Sequence, residues 1–270
     1  MLDANISLPG TTGEDASPFP VLIIPGYGAP LYQTGWVGKQ VQSRCLDTIS
    51  VKLPWLGVGD MKRSAEIVAE QVESVKGRYG FEKVNLLGFS LGGLIARYYL
   101  QEFDGHRSMA RAAFLAPPLA GAYMGYLGFF TPAGRQVRPG SSFLRDLEDS
   151  RKREWGSERC LSIYVRWDGV IVPSESAHLP AGYNLRLARP ISHWGVVLSR
   201  GLIHRATDFL KGSLPDGVEP GRELKARGAP RVYALTPQPP AGRHWISWSA
   251  IFSPFKALAG KVKALTRKAR

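Results

Sequence analysis

Residues 83–101 read KVNLLGFSLGGLIARYYLQ, and the place of Ser90 within them decides the fold. Lys83–Phe89 has the make-up of a buried strand, and the residues after Ser90 have the make-up of a helix. Between them lies G-x-S-x-G: Gly88, Phe89, Ser90, Leu91, Gly92. A strand that passes into a helix within one residue must turn so sharply that Ser90 takes a strained backbone conformation. Side chains two residues either side would collide with neighbouring backbone, so glycine is required there. The turn lifts the hydroxyl above the sheet edge, beside a helix start whose free N–H groups favour negative charge. Ser90 is therefore a candidate nucleophile. The competing reading is a glycine-softened turn in which Ser90 only caps the helix.

Outward from this point, strand and helix patterns alternate. Val21–Ile24 is a continuous apolar run followed by Pro25-Gly26-Tyr27-Gly28, as in a strand covered on both faces that ends in a turn. GWVGKQVQSRCL reads as a helix and DTISVKLPW as a strand stopped by Pro54. Ile67, Val68, Val72 and Val75 stand at helical spacing, with Asp60 or Ser64 as the N-cap and Gly77 or Gly80 near the stop. RAAFLAP, LSIYVRW and GYNLRLA give three further strands, and His193–Gly212 reads as one closing helix. The alternation implies an α/β fold: a mostly parallel central sheet flanked by helices. Such sheets bind ligands at the carboxyl ends of their strands.

The segments VLIIPGYG, LLGFSLGGLIARYYL, RAAFLAPPLAG, YVRWDGVIVP and SHWGVV, in this order, resemble the α/β-hydrolase superfamily, and within it lipases and carboxylesterases, over roughly residues 19–212. The resemblance implies a serine-dependent carboxylic ester hydrolase working through an acyl-enzyme. A thioesterase or lipid acyltransferase on the same residues is the nearest alternative. A non-catalytic membrane- or partner-binding protein on the same scaffold is the alternative of another class. The substrate class implied is an acyl ester or lipid; no cofactor and no metal is expected, since no His/Cys/Asp cluster has metal-ligand spacing.

A serine hydroxyl needs a base in reach, and the base needs an orienting acid. In this superfamily the chain order is serine, acid, histidine. Of His106, His178, His193, His204 and His244, only His193 both follows a strand and a loop and precedes a helix, which sets it at the sheet's carboxyl edge. His178 is the rival base, but it lies only ten residues after Asp168. Asp168 follows LSIYVRW and precedes Gly169, and WDGVIVP resembles the turn that carries the lipase acid. Asp-Gly is also an ordinary turn dipeptide, and Glu175 is the fallback acid. The expected catalytic residues are Ser90, Asp168 and His193. The N–H of Leu91 is expected to be one oxyanion donor, and that of Tyr27 the other, with Gly28 as its alternative. Where lipases often carry His-Gly-x, this chain has Pro25-Gly26-Tyr27. Residues of about 118–160 occupy the place of the superfamily's cap or lid, and GAYMGYLGFF there suits either an acyl pocket or a core-packing helix.

The chain has 270 residues, 44% hydrophobic, enough for one large core. It shows no apolar run of about 18 residues and no signal-peptide pattern at its start. Cys45 and Cys160 read as free thiols in a reducing compartment, so a cytoplasmic location is expected, with peripheral membrane association. Of the net charge of +13, residues 213–270 hold 11 Lys and Arg against 3 Asp and Glu, or +8. These residues form a Pro/Gly-rich linker and a basic aromatic end, RHWISWSAIFSPFKALAGKVKALTRKAR. Its tryptophans, and Leu258, Val262 and Leu265 among lysines and arginines, fit a helix lying on an anionic membrane surface. A helix packed on the hydrolase body or a solvated tail would also fit. No nucleic-acid motif accompanies the charge, so no nucleic-acid partner is expected.

Overall fold

The structure, a computed structural model, describes residues 19–29, 31–149, 155–188 and 191–221. His244 and the basic aromatic end lie outside the described residues. Seven strands form one sheet: β1 Val21–Ile24, β2 Thr48–Ser50, β3 Val84–Phe89, β4 Met109–Leu115, β5 Cys160–Val165, β6 Tyr183–Leu187 and β7 Glu219–Pro220. Their order across the sheet is β2-β1-β3-β4-β5-β6-β7. The first six pair parallel, and β7 closes the edge antiparallel to β6. This is the mostly parallel sheet that the alternating pattern implies.

The helices on its faces are α1 Leu31–Gln42, α2 Met61–Tyr79, α3 Leu91–Glu102, α6 His193–Leu198 and α7 Arg200–Leu210. Two short helices, α4 Pro132–Gln136 and α5 Ser142–Asp149, belong to the segment between β4 and β5. Successive strand residues feed opposite faces, as the two-residue period requires. Leu22, Ile24 and Leu86 pack with Val68 and Val72 of α2 and Leu94 and Ile95 of α3. Val21, Ile23 and Leu87 pack with Val37 and Val41 of α1 and Val196, Ile203 and Phe209 of α6 and α7. Each such buried side chain contributes roughly 1.5–3 kcal/mol, so both faces anchor the strand ends that carry the site.

Local chemistry explains the boundaries. The Asp60 carboxylate accepts from the Lys62 and Arg63 N–H groups and starts α2, and Gly80, at φ 73°, ends it. The run read as a single closing helix is two helices. Ser199 is extended (φ −71°, ψ 113°), and its hydroxyl accepts from Leu202 N–H, so a serine that could sit mid-helix caps a new one instead. Helix α1 begins four residues before the sequence pattern suggests, at Leu31. Residues 213–221, read with the linker, bring the chain back along β6, where Gly221 N–H donates to Gly182 O. Cys45 is exposed and Cys160 buried, and both are free; burial pushes the Cys160 thiol up. Among the described residues, no helix is long and apolar enough to cross a membrane.

Candidate active site

The β3–α3 junction has the sharp turn that G-x-S-x-G implies. Ser90 sits at φ 47°, ψ −119°, a region that costs a non-glycine residue about 1–3 kcal/mol. The surroundings hold it there: Ser90 N–H donates to Leu115 O at the end of β4, and Gly93 N–H donates back to Ser90 O. A Cβ on Gly92 would lie 2.2 Å from Ile24 O and 2.6 Å from Pro25 O, and one on Gly88 would lie 2.8 Å from the Gly93 backbone. No side-chain cap bond is made by Ser90. Its hydroxyl points instead to His193, with Oγ 3.0 Å from Nε2.

His193 is the first residue of α6, whose start is set by the Ser192 hydroxyl accepting from Gly195 N–H. The ring is buried, and the indole of Trp194 stands edge-on to it at 5.9 Å. On the far side, Nδ1 lies 2.8 Å from Asp168 Oδ1 and 3.0 Å from Oδ2. Asp168 follows β5, and Gly169, at φ 78°, lets the chain fold back beneath it. Asp168 Oδ1 also accepts from Val170 N–H (3.0 Å) and Ile171 N–H (2.7 Å). The two readings of Asp-Gly thus coexist: the carboxylate closes its own turn and faces the histidine. Val170 and Ile171 were not legible as contributors, although an Asp opening a glycine turn is the signal for such bonds.

The rival candidates lie elsewhere. His178 Nδ1 meets the Tyr164 hydroxyl at 3.2 Å, and burial pushes that phenol up to about 12. Glu175 pairs with Arg186 at the surface. His106 approaches Leu100 O. His204 lies near the Ser43 hydroxyl, held below its ordinary value by burial and by Arg200 and Arg44.

Tyr27 and Leu91 line the same cavity as Ser90 and His193. Of the two residues weighed as second oxyanion donor, Gly28 is committed, its N–H donating to Leu56 O at 2.9 Å. Tyr27, which lines the cavity, stays the candidate for the second donor. The cavity holds about 340 Å³, and its walls include Met124, Leu127, Phe130, Val137, Val170 and Ile171. Of GAYMGYLGFF, Met124, Gly125, Leu127, Gly128 and Phe130 line the cavity, and Ala122 belongs to both the lining and the core. Residues 124–137 line the cavity, while Phe143, Leu144 and Leu147 of α5 join the core. Among the described residues, no group of three or more His, Cys, Asp or Glu is placed to hold a metal.

A family model described as alpha/beta hydrolase fold matches residues 20–156. Among solved structures, the chain is similar to Aspergillus fumigatus lipase B (TM-score 0.65, 21% identity, over 81% of this chain and 58% of that one). It is also similar to mature Bacillus licheniformis lipase BlEst2 (TM-score 0.61, 14% identity, over 75% of this chain and 96% of that one). A third is the Paleococcus ferrophilus monoacylglycerol lipase (TM-score 0.50, 16% identity, over 71% of this chain and 96% of that one). The chain thus spans less than two thirds of the Aspergillus lipase. No curated protein matches it in sequence. At such identities these likenesses speak for the fold.

Proposed function

The chain belongs to the α/β-hydrolase fold family, and on that premise we propose that it is a serine-dependent carboxylic ester hydrolase of lipase or esterase type. One observation carries the proposal: His193 bridges Ser90 and Asp168 at hydrogen-bond distance on both ring nitrogens. Asp168 holds the proton on Nδ1, which leaves Nε2 free to accept from the Ser90 hydroxyl. Ser90 Oγ attacks the ester carbonyl, and its proton passes to Nε2. The oxygen that becomes negative is received by the N–H groups of Tyr27 and Leu91, which contribute a few kcal/mol each. His193 returns the proton to the departing alkoxide, leaving an acyl group on Ser90. Water then repeats the sequence: it gives its proton to His193 and attacks the acyl carbon, and Ser90 leaves with the returned proton.

The cavity of about 340 Å³ is near the low end of ligand sites. Its apolar walls suit the acyl chain of a short to medium ester, with lipid acyl groups entering by one end. The basic aromatic residues 243–270 would add reversible attachment to an anionic membrane surface. The test of the hydrolase reading is hydrolysis of p-nitrophenyl esters of rising acyl length by wild type and Ser90→Ala. Expected is a maximum at short to medium chains and loss of at least about 10⁴-fold in the variant. Undiminished turnover by Ser90→Ala would end the proposal.

A further inference from the structure

The cavity's donor loop is restrained from two sides. Through its backbone, Gly28 N–H is bonded to Leu56 O, in a loop where Trp55 and Leu56 both sit at φ 53°, ψ 34°. Such left-handed conformations are costly for bulky residues and persist only where the surroundings over-determine them. Through its side chain, the Tyr27 hydroxyl lies 3.1 Å from Thr131 Oγ1, 104 residues away.

The direction of the second bond follows from counting. A threonine oxygen has one proton and two lone pairs. Thr131 Oγ1 donates its proton to Gly128 O at 3.1 Å. One lone pair accepts from Gly134 N–H at 3.0 Å, the bond that starts α4. The remaining lone pair is free only for a donor, so the Tyr27 hydroxyl donates to it. All three positions of the threonine oxygen are then filled, and the tyrosine cannot shift without breaking one. Thr131 and Gly128 stand in the segment whose Met124, Leu127 and Phe130 form the cavity wall. The residue proposed as an oxyanion donor is therefore tied by its own side chain to the wall that would hold the acyl group.

We infer that Tyr27 and Thr131 are a positioning pair: the hydroxyl bond couples the cavity wall to the Tyr27 amide and holds that amide where the oxyanion forms. This rests on the proposed hydrolase reading. An amide displaced rather than removed loses part of the 10²–10³-fold that deleting an oxyanion donor costs. Ground-state binding by the apolar walls is untouched.

The test uses the full chain and Tyr27→Phe, which keeps the ring and the α4 cap, with Thr131→Val and Thr131→Ser. Two readouts are taken: kcat and KM on p-nitrophenyl butyrate, and the inhibition constant of a butylboronic acid. The boronic acid forms a bond from Ser90 Oγ to boron, and the serine proton passes to His193. The resulting tetrahedral anion presents oxygen to the same amides. Tyr27→Phe should lower kcat about tenfold and weaken the boronic acid by the same factor, with KM within about twofold; Thr131→Val, which also loses the bonds to Gly128 O and Gly134 N–H, should lose at least as much. Their double variant should lose no more than the weaker single, and Thr131→Ser should match wild type. The inference is overturned if Tyr27→Phe keeps wild-type kcat and boronate affinity, or if its loss falls on KM alone. Those outcomes would leave the hydrolase reading standing so long as Ser90→Ala is inactive; an active Ser90→Ala would remove both.

Discussion

Replacing Asp168 by Asn puts the proposed proton relay to a sharp test, because the two side chains have the same shape. Asp168 Oδ1 takes two backbone bonds, from Val170 N–H at 3.0 Å and Ile171 N–H at 2.7 Å. An asparagine has a single oxygen, and those two donors hold it in the Oδ1 position. Turning the amide round would set its NH₂ against both of them. The NH₂ therefore takes the place of Oδ2, 3.0 Å from His193 Nδ1, while the oxygen, 2.8 Å from Nδ1, already has both lone pairs engaged by Val170 and Ile171 N–H. A donor there favours an imidazole with no proton on Nδ1 and one on Nε2, directed at Ser90 Oγ. Such a ring cannot accept the serine's proton. A triad driven into this tautomer loses roughly 10⁴-fold in kcat, about 5.4 kcal/mol at 1.36 kcal/mol per factor of ten. The turn's backbone bonds survive, so Tm should stay within about 4 °C of wild type, the shift expected for 1 kcal/mol in a chain of this size. The assay is kcat on p-nitrophenyl butyrate beside a thermal melt. An Asp168→Asn enzyme with kcat within about tenfold of wild type and an unchanged Tm would refute the orienting role of Asp168.

Two further outcomes follow from the same geometry and from the charge pattern. In Gly92→Ala the new methyl would meet Ile24 O at 2.2 Å and Pro25 O at 2.6 Å, at the end of a strand paired on both sides. Overpacking against backbone of this kind costs about 3 kcal/mol, so calorimetry should show Tm lowered by roughly 6–12 °C; a wild-type melt would mean that the turn is looser than described. For the basic end, full-length chain should float with anionic liposomes, and a chain shortened to residues 1–221, which keeps β7, should not while still cleaving a soluble ester. Equal flotation of the two would remove the membrane reading of residues 243–270.

Ser90 and His193 stand 103 residues apart, yet both could be singled out in the sequence. Each is marked locally by what its position demands. The serine needs glycines because its turn brings Gly92 against the end of β1. The histidine needs a strand before it and a capped helix after it. Asp168 was legible for a similar reason, since an acid opening a glycine turn after a strand makes short-range bonds whatever else it does. The boundaries that were missed depend on choices that a local pattern leaves open. Ser199 could ride inside a helix or cap a new one, and only the tertiary packing, α6 against β5 and α7 against β4 and β5, selects the cap. Residues 219–220 are too few to show a period and become a strand only because β6 offers an edge. Thr131 is the clearest case. In TPAGRQ it reads as an ordinary helix cap, and that is half of what it does. Its third bond reaches Tyr27 across 104 residues, and a hydroxyl leaves no mark in sequence for a partner that distant. The groups proposed for the chemistry carry local signatures because strain, glycine and capping are local requirements. The groups that hold them in register act through tertiary contacts between side chains of common type, and coordinates are needed to find them.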